Sequence, residues 1–147
     1  MKKRIFFAFT KLFFSILLLL SLPISCDKNI VVPYVYVYFE VDINQPDMQD
    51  LLPVGGKVFV NGGHRGIVIY HSSIDKFEAY DRACTYHPNS EARVQNSSKW
   101  GVLTCDSCQS EYALYADAIT VKGPASIALH KYTVTYLQGS QILVISN

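Results

Sequence analysis

Short runs in which apolar and polar side chains alternate are the most frequent pattern in this sequence, and they restrict the fold classes that it can adopt. The longest spans residues 31–43, where an apolar face alternates with a tyrosine-rich, polar face. The apolar face carries Val35, Val37, Phe39, Val41 and Ile43, and the other carries Tyr34, Tyr36, Tyr38, Glu40 and Asp42. A period of two with β-branched and aromatic residues predicts a β-strand whose tyrosine row lies on the outer face.

The other runs are shorter and are separated by turn signals. Asn61-Gly62 between two β runs predicts a hairpin and not a phosphate-binding loop, because no helix-forming segment follows it. Further strands are predicted at residues 57–60, 66–70, 77–80, 101–104, 112–115, 119–122, 132–136 and 141–145. Because no segment beyond residue 30 has helical periodicity, the sequence predicts an all-β sandwich or barrel.

Two short pairs of metal-binding residue types follow predicted strands. The pairs are Cys84-Thr-Tyr-His87 and Cys105-Asp-Ser-Cys108. Each pair brackets a tight turn that directs two side chains towards one point, which is how zinc knuckles and iron-sulfur loops are built. Three thiols and an imidazole suit zinc or an iron-sulfur cluster, and suit calcium or magnesium poorly. The four residues are therefore candidate metal ligands.

The segments around these pairs resemble a Rieske domain, in which a Cys-x-His loop and a Cys-x-x-His loop hold a two-iron, two-sulfur cluster. Residues 77–85 resemble the strand that leads into the first loop, and residues 105–112 follow the second-loop pattern Cys-x-x-His-Gly-Ser-x-Tyr. Residues 123–125, Gly-Pro-Ala, resemble the proline-containing loop that comes next. In total the resemblance covers about residues 75–147.

The resemblance implies a fold and a set of supporting residues. It implies a Rieske-like antiparallel β-sandwich or barrel, with a small two-loop cluster-binding subdomain at about residues 82–125. It also implies that Ser110 and Tyr112 donate hydrogen bonds to a cluster sulfur and a cysteine sulfur, which tunes the reduction potential.

The departures from the Rieske pattern fall on the ligands themselves. By the resemblance, Cys84 and Cys105 occupy the cysteine positions, which share one iron. His87 is displaced by one residue because Tyr86 stands at the first histidine position, and Cys108 replaces the second histidine. In the second loop, glutamine also replaces the usual glycine at position 109.

Three states of this site remain open. In the first, Cys84, His87, Cys105 and Cys108 hold a two-iron cluster, and the extra thiolate lowers its reduction potential. In the second, the same residues hold zinc in a closed structural site. In the third, no metal binds and two of the cysteines form a disulfide. The leader resembles a twin-arginine signal only loosely, which weighs against export of a preassembled cluster.

The N-terminus has the pattern of a secretory signal. Residues 2–4 are basic and residues 5–22 are almost wholly apolar. The sequence Leu-Pro-Ile-Ser-Cys that ends at Cys26 resembles a lipobox, although proline stands where that motif prefers leucine. We therefore expect residues 1–25 to be a signal peptide cleaved before a lipidated Cys26. The alternatives are an uncleaved membrane-spanning helix or ordinary secretion.

This interpretation divides the rest of the chain into a tether at residues 26–33 and one Rieske-like domain at residues 34–147. Removing the leader leaves nine basic residues against twelve acidic ones, with no basic cluster in the sequence. Nucleic acid is therefore not an expected partner. The expected location is the cell envelope, on the periplasmic or surface side of a membrane held through the lipid on Cys26.

The function expected from these features is that of a Rieske-like electron carrier with a redox protein as partner. An enzyme is not expected, because the chain is too short for the separate catalytic domain that Rieske oxygenases need. The alternative is a zinc-holding or metal-free Rieske-fold surface lipoprotein. It would act as a binding module, with the tyrosine row as its contact face.

Overall fold

The computed structural model describes residues 32–147, so the predicted signal peptide and lipidated Cys26 lie outside the described residues. Ten strands are present in this part of the chain: β1 (Tyr38–Asp42), β2 (Lys57–Val60), β3 (Ile67–Ser73), β4 (Lys76–Asp81), β5 (Val94–Asn96), β6 (Val102–Cys105), β7 (Glu111–Ala113), β8 (Ile119–Lys122), β9 (Lys131–Leu137) and β10 (Ile142–Ser146). Two short 3₁₀ helices, Pro46–Leu51 and Leu114–Ala116, complete the regular structure. None of the helices within residues 32–147 has the length and apolar character to cross a bilayer.

The strands form two antiparallel sheets. The larger has the order β1-β10-β9-β4-β3-β2, and the smaller has the order β5-β6-β7-β8. The smaller sheet is formed by the segment between β4 and β9, two strands that pair with each other in the larger sheet. This arrangement confirms the predicted all-β antiparallel fold, and it shows that the smaller sheet is an insertion between two strands of the larger one.

The hairpin of β3 and β4 separates two hydrophobic cores. Successive side chains of a strand point to opposite faces. Ile67 and Ile69 therefore pack in a core on one face of the larger sheet, whereas Val68 and Tyr70 pack in a second core beside the smaller sheet. All four are almost completely buried. This explains why the β3 sequence is a continuous apolar run instead of an alternating one.

The predicted strands agree closely with the observed ones. The predictions at residues 57–60 and 119–122 match β2 and β8, and most of the others differ only at their ends. The run at residues 31–43 is shorter as a strand, because the neighbouring β10 ends at Ser146. Its alternation persists beyond β1: the N–H of Val37 donates to Oδ1 of Asn147 over 2.6 Å, and the tyrosine row lies on the exposed face as predicted.

Three elements were not predicted from the sequence: β5 and the two 3₁₀ helices, of which Leu114–Ala116 overlaps the strand predicted at residues 112–115. β5 has the sequence Val-Gln-Asn with a single apolar residue, and its strand conformation follows from pairing with β6, where Val94 lies opposite Cys105. The polar segment after β1 has no apolar periodicity in the sequence, but most of it forms the 3₁₀ helix Pro46–Leu51. Its Met48 and Leu51 are buried against the first core.

Candidate metal centre

The first candidate loop leaves β4 and turns back towards the smaller sheet. The N–H of Cys84 donates to the carbonyl of Ala92 over 3.2 Å, which fixes the base of the loop. The N–H of His87 then donates to the carbonyl of Cys84 over 3.1 Å. This tight turn brings the imidazole back over the thiol, as the spacing of the pair predicts.

The second candidate loop connects β6 and β7. The N–H of Cys105 donates to the carbonyl of Ser110 over 2.9 Å, and the N–H of Gln109 donates to the carbonyl of Cys105 over 3.2 Å. Gln109 has a φ of 59°, in the left-handed region that favours glycine. The position at which the sequence departs from the usual glycine therefore keeps the backbone conformation that glycine would adopt.

Three of the four candidate ligands come together. The ligand atoms of Cys84, His87 and Cys108 all lie within 4.8 Å of one another, and the two Sγ atoms are 3.5 Å apart. Cys84 is fully buried, Cys108 is partly exposed and His87 is exposed. Cys105 is also fully buried but falls outside this group of three, and all three cysteines are free thiols. Their role as ligands stays a prediction.

Tyr86, which stands at the first Rieske histidine position, is largely exposed and not part of the ligand group. Its ring packs edge-on against the ring of His87, with the centroids 4.5 Å apart. The one-residue displacement of the histidine is therefore accommodated by the turn, with tyrosine at the surface.

A hydroxyl group lies beside each of the two neighbouring thiols. Oγ of Ser110 accepts the N–H of Ala125 over 2.9 Å and lies 3.1 Å from Sγ of Cys108. Because that oxygen already accepts a hydrogen bond from the backbone, its own proton is free to point at the sulfur. The contact with Ala125 also anchors the Gly-Pro-Ala loop against the site.

The second hydroxyl belongs to Tyr112. Its Oη lies 3.6 Å from Sγ of Cys84 and 3.0 Å from Oγ1 of Thr85, which donates to the carbonyl of Ile127 over 2.7 Å. Thr85 could not be identified from the sequence, because its contacts with Tyr112 and with the carbonyl of Ile127 depend on tertiary packing. Ser110 and Tyr112 thus each lie beside a cysteine sulfur, and their role towards a cluster stays a prediction.

The environment affects the thiols differently. Burial raises the pKa of Cys105 to about 12. Burial also acts to raise the pKa of Cys108, but hydrogen bonds with Ser110, Cys84 and Cys105 together outweigh it and lower that pKa below the usual value. Burial raises the pKa of Tyr112, so this hydroxyl keeps its proton and remains a donor at neutral pH.

Comparison with solved structures identifies the fold. No family model matches the chain, and no curated protein matches it in sequence. A solved structure does match: a chain of the complex of reduced oxygenase and oxidised ferredoxin in carbazole 1,9a-dioxygenase. The TM-score is 0.52, and the match covers 74% of this chain and 92% of that chain at 18% identity. The fold is Rieske-like.

The donor set of this Rieske-like domain suits a metal group bound by thiolates. Three thiols and one imidazole are available, and hydroxyl donors lie beside the sulfurs of Cys84 and Cys108. Such donors stabilise the negative charge of metal-bound sulfur. Thiolate and imidazole ligands suit iron-sulfur clusters and zinc alike, so the donor chemistry narrows the metal to these two classes.

Proposed function

We propose that this protein is a Rieske-like electron carrier that is held by a lipid on Cys26 at the outer side of a bacterial membrane. The Rieske-like fold and the ligand group at the tips of its two loops support the proposal. The matched complex contains a ferredoxin and an oxygenase, which supports a redox protein as the partner. Residues 32–147 form a single small Rieske-like domain in which no catalytic domain is evident, so we assign no substrate chemistry.

The proposed cofactor is a two-iron, two-sulfur cluster, which supplies the capacity to accept and release one electron when it is bound. Cys84 and Cys105 would hold one iron, and His87 and Cys108 the other. The hydroxyls of Ser110 and Tyr112 would stabilise the charge on the sulfurs. Because one histidine is replaced by a thiolate, we expect a lower reduction potential than that of a two-histidine Rieske centre.

The exposure of His87 is the observation on which the carrier function rests. Cys84 and Cys105 are completely buried, whereas His87 lies on the exposed side of the site beside Tyr86. A carrier needs one ligand at the surface, where a partner can approach the metal, and buried ligands on the opposite side. His87 would therefore lie at the contact with the redox partner.

The test is the metal content and absorption of the full chain purified from native membranes. We expect about two iron and two sulfide per chain, with visible absorption that bleaches on reduction. His87→Ala should lose this absorption, whereas His130→Ala, which alters another exposed histidine, should keep it. A colourless protein with one zinc per chain, or an iron-loaded protein that His87→Ala leaves unchanged, would contradict the carrier.

A closed zinc site is a second candidate, and the 3.5 Å between the sulfurs of Cys84 and Cys108 favours it. Two thiolates at about 2.3 Å from one tetrahedral ion are about 3.8 Å apart. The Rieske pattern instead places these two positions on different irons. A zinc-holding or metal-free protein would act as a binding module, with the exposed row of Tyr34, Tyr36 and Tyr38 as its contact face.

A further inference from the structure

A cleft beside the turn between β2 and β3 collects the arginines of the domain. It has a volume of about 330 Å³ and is lined by residues of that turn, the end of β4 and the first candidate loop. Arg65, Arg82 and Arg93 all line it, and they are the only arginines in residues 32–147. Three arginines converge here in a chain whose acidic residues outnumber its basic ones once the leader is removed.

Arg82 and Arg93 have charges that are not paired within the domain. The guanidinium carbon of Arg82 lies 4.1 Å from the centroid of the Phe59 ring, and its Nε donates to the carbonyl of Val94 over 3.0 Å. These contacts fix the group and leave its terminal N–H groups available. Among residues 32–147, no carboxylate oxygen lies within 4.0 Å of a guanidinium nitrogen of Arg82 or Arg93. The carboxylate of Asp106 accepts the backbone N–H of Arg93 over 3.1 Å and does not contact its guanidinium.

Arg65 has a partner that can leave. Its guanidinium contacts the carboxylate of Glu91 over 3.0 Å, but the Glu91 side chain is 91% exposed. An exposed ion pair of this kind contributes about 0–1 kcal/mol, so a stronger anion can replace it. Nε of Arg65 donates to the carbonyl of Ser90 over 2.8 Å, which holds the guanidinium at the wall of the cleft.

The turn that forms the other wall is rigid. Gly63 has a φ of 60°, and a Cβ at this position would collide with the buried carboxylate of Asp81. That carboxylate accepts the N–H groups of His64 and Arg65 over 2.6 and 3.3 Å, and the hydroxyl of Tyr132 over 2.7 Å. The negative charge under the turn is thus already compensated.

His64 also lines the cleft and carries a polar atom without a partner. Its Nε2 is buried and makes no hydrogen bond with any of the described residues. A buried ring nitrogen without a partner is uncommon in folded proteins. Because this atom is shielded from solvent, the inference rests on the arginines of the cleft and not on His64.

We infer that this cleft binds a phosphate-type oxyanion. The planar guanidinium groups of Arg82 and Arg93 offer paired N–H donors that match phosphate oxygens, and Arg65 adds a third when Glu91 moves aside. The ligand is either a free phosphate compound or the phosphate of a lipid headgroup. The site is separate from the candidate metal ligands, so the inference does not depend on the metal.

The test is titration calorimetry of the full chain, with inorganic phosphate and pyrophosphate as probes at low ionic strength. Arg93 is exposed, so Arg93→Gln leaves the fold intact and should weaken binding at least about tenfold by removing a charge-assisted contact. Glu91→Gln should tighten binding several-fold because it frees Arg65. Lys122→Gln removes one positive charge outside the cleft and should change nothing.

A second measurement distinguishes the two sources of phosphate. Sedimentation with phosphatidylcholine vesicles, with and without phosphatidylglycerol, shows whether the cleft binds a headgroup. A phosphatidylglycerol-dependent gain that Arg93→Gln abolishes assigns a lipid, and probe binding without that gain assigns a free phosphate compound. Absence of both, or equal binding by Arg93→Gln and the unaltered protein, would overturn the inference.

Discussion

Gln109 illustrates how one residue can preserve a loop while departing from its usual sequence. Its φ of 59° is costly for any residue with a Cβ, by about 1–2 kcal/mol. A hydrogen bond from Nε2 to the carbonyl of Asp106 over 3.2 Å offsets part of that cost. Gln141 has the same φ, and its Nε2 donates to the carbonyl of Gln138 over 2.8 Å. The protein thus contains the same local device twice, once in the candidate metal loop and once in a distant turn.

Replacing either glutamine with glycine should relieve this strain. We expect Gln109→Gly and Gln141→Gly each to raise the free energy of unfolding by about 0.5–1 kcal/mol, after the entropic cost of glycine. Urea denaturation of the metal-free protein measures both. Gln141→Gly is the matched control, and a loss of stability in Gln109→Gly alone would show that the Gln109 side chain has a further role at the site.

The ligand residues could be predicted from the sequence because each pair is closely spaced along the chain. The relative positions of the two pairs could not be predicted. The turns that carry the two pairs follow from Cys-x-x-His and Cys-x-x-Cys. Cys105 interacts with the thiols of Cys84 and Cys108 but lies outside the 4.8 Å group that includes His87, and this position depends on how the loops pack. The contact of Ser110 with Ala125 depends on loop packing in the same way. Spacing along the chain therefore selects residues and leaves their distances undetermined.

At the scale of elements, β4 carries a buried carboxylate that links the two ends of the inserted segment. Glu78 is buried and contacts the ammonium groups of Lys76 and Lys131 over 3.1 and 3.2 Å. It also accepts the hydroxyl of Tyr80 over 3.0 Å. Burial alone would raise the pKa of Glu78, but these three partners lower it below its usual value.

This lowered pKa predicts how stability depends on pH. Because the pKa of Glu78 is lower in the folded than in the unfolded state, its stabilising effect is present above about pH 4.5 and is lost as the pH falls through the folded value. Glu78→Gln should lower the free energy of unfolding at pH 7 by about 1–2 kcal/mol. It should also flatten the decline of stability in acid.

Denaturation at several pH values checks this prediction. Glu40→Gln is the control, because Glu40 is exposed in β1 and forms no ion pair with any residue of the described chain. A Glu78→Gln variant with the same pH dependence as Glu40→Gln would show that the buried carboxylate does not contribute.

Elements were predictable from sequence where a strand has its own apolar pattern. β2 and β8 were predicted at their observed bounds, because both alternate and are bounded by turns or polar residues. β5 was missed because its conformation comes from pairing with β6, and the 3₁₀ helix at Pro46–Leu51 was missed because its polar residues mask two buried ones. The local sequence pattern therefore predicts strands that have their own apolar face. It misses strands whose conformation depends on pairing with a neighbour.

For the whole molecule, the presence of two cores means that the metal site can lose stability while the larger sheet keeps its own. The first core contains none of the candidate ligands, whereas Cys84 and Cys105 belong to the second. We expect removal of bound metal with a chelator to speed amide exchange at residues 84–110 by at least about tenfold. Exchange in β1, β9 and β10 should stay unchanged.

Hydrogen exchange with mass spectrometry, before and after chelation, measures this difference. Cys108→Ala, which removes one ligand of the group, should reproduce the chelated pattern without a chelator. Equal loss of protection in both sheets would show that the domain unfolds as one cooperative unit and would contradict the separation.

The hairpin of β3 and β4 has a consequence for how such a sequence can change over generations. Its odd-numbered and even-numbered side chains pack in different cores, and the core that holds the odd-numbered ones contains no residue of the two loops. A histidine can move by one position, or a cysteine can take its place, while the scaffold survives. The first core can therefore stay the same while the sequences of the two loops change.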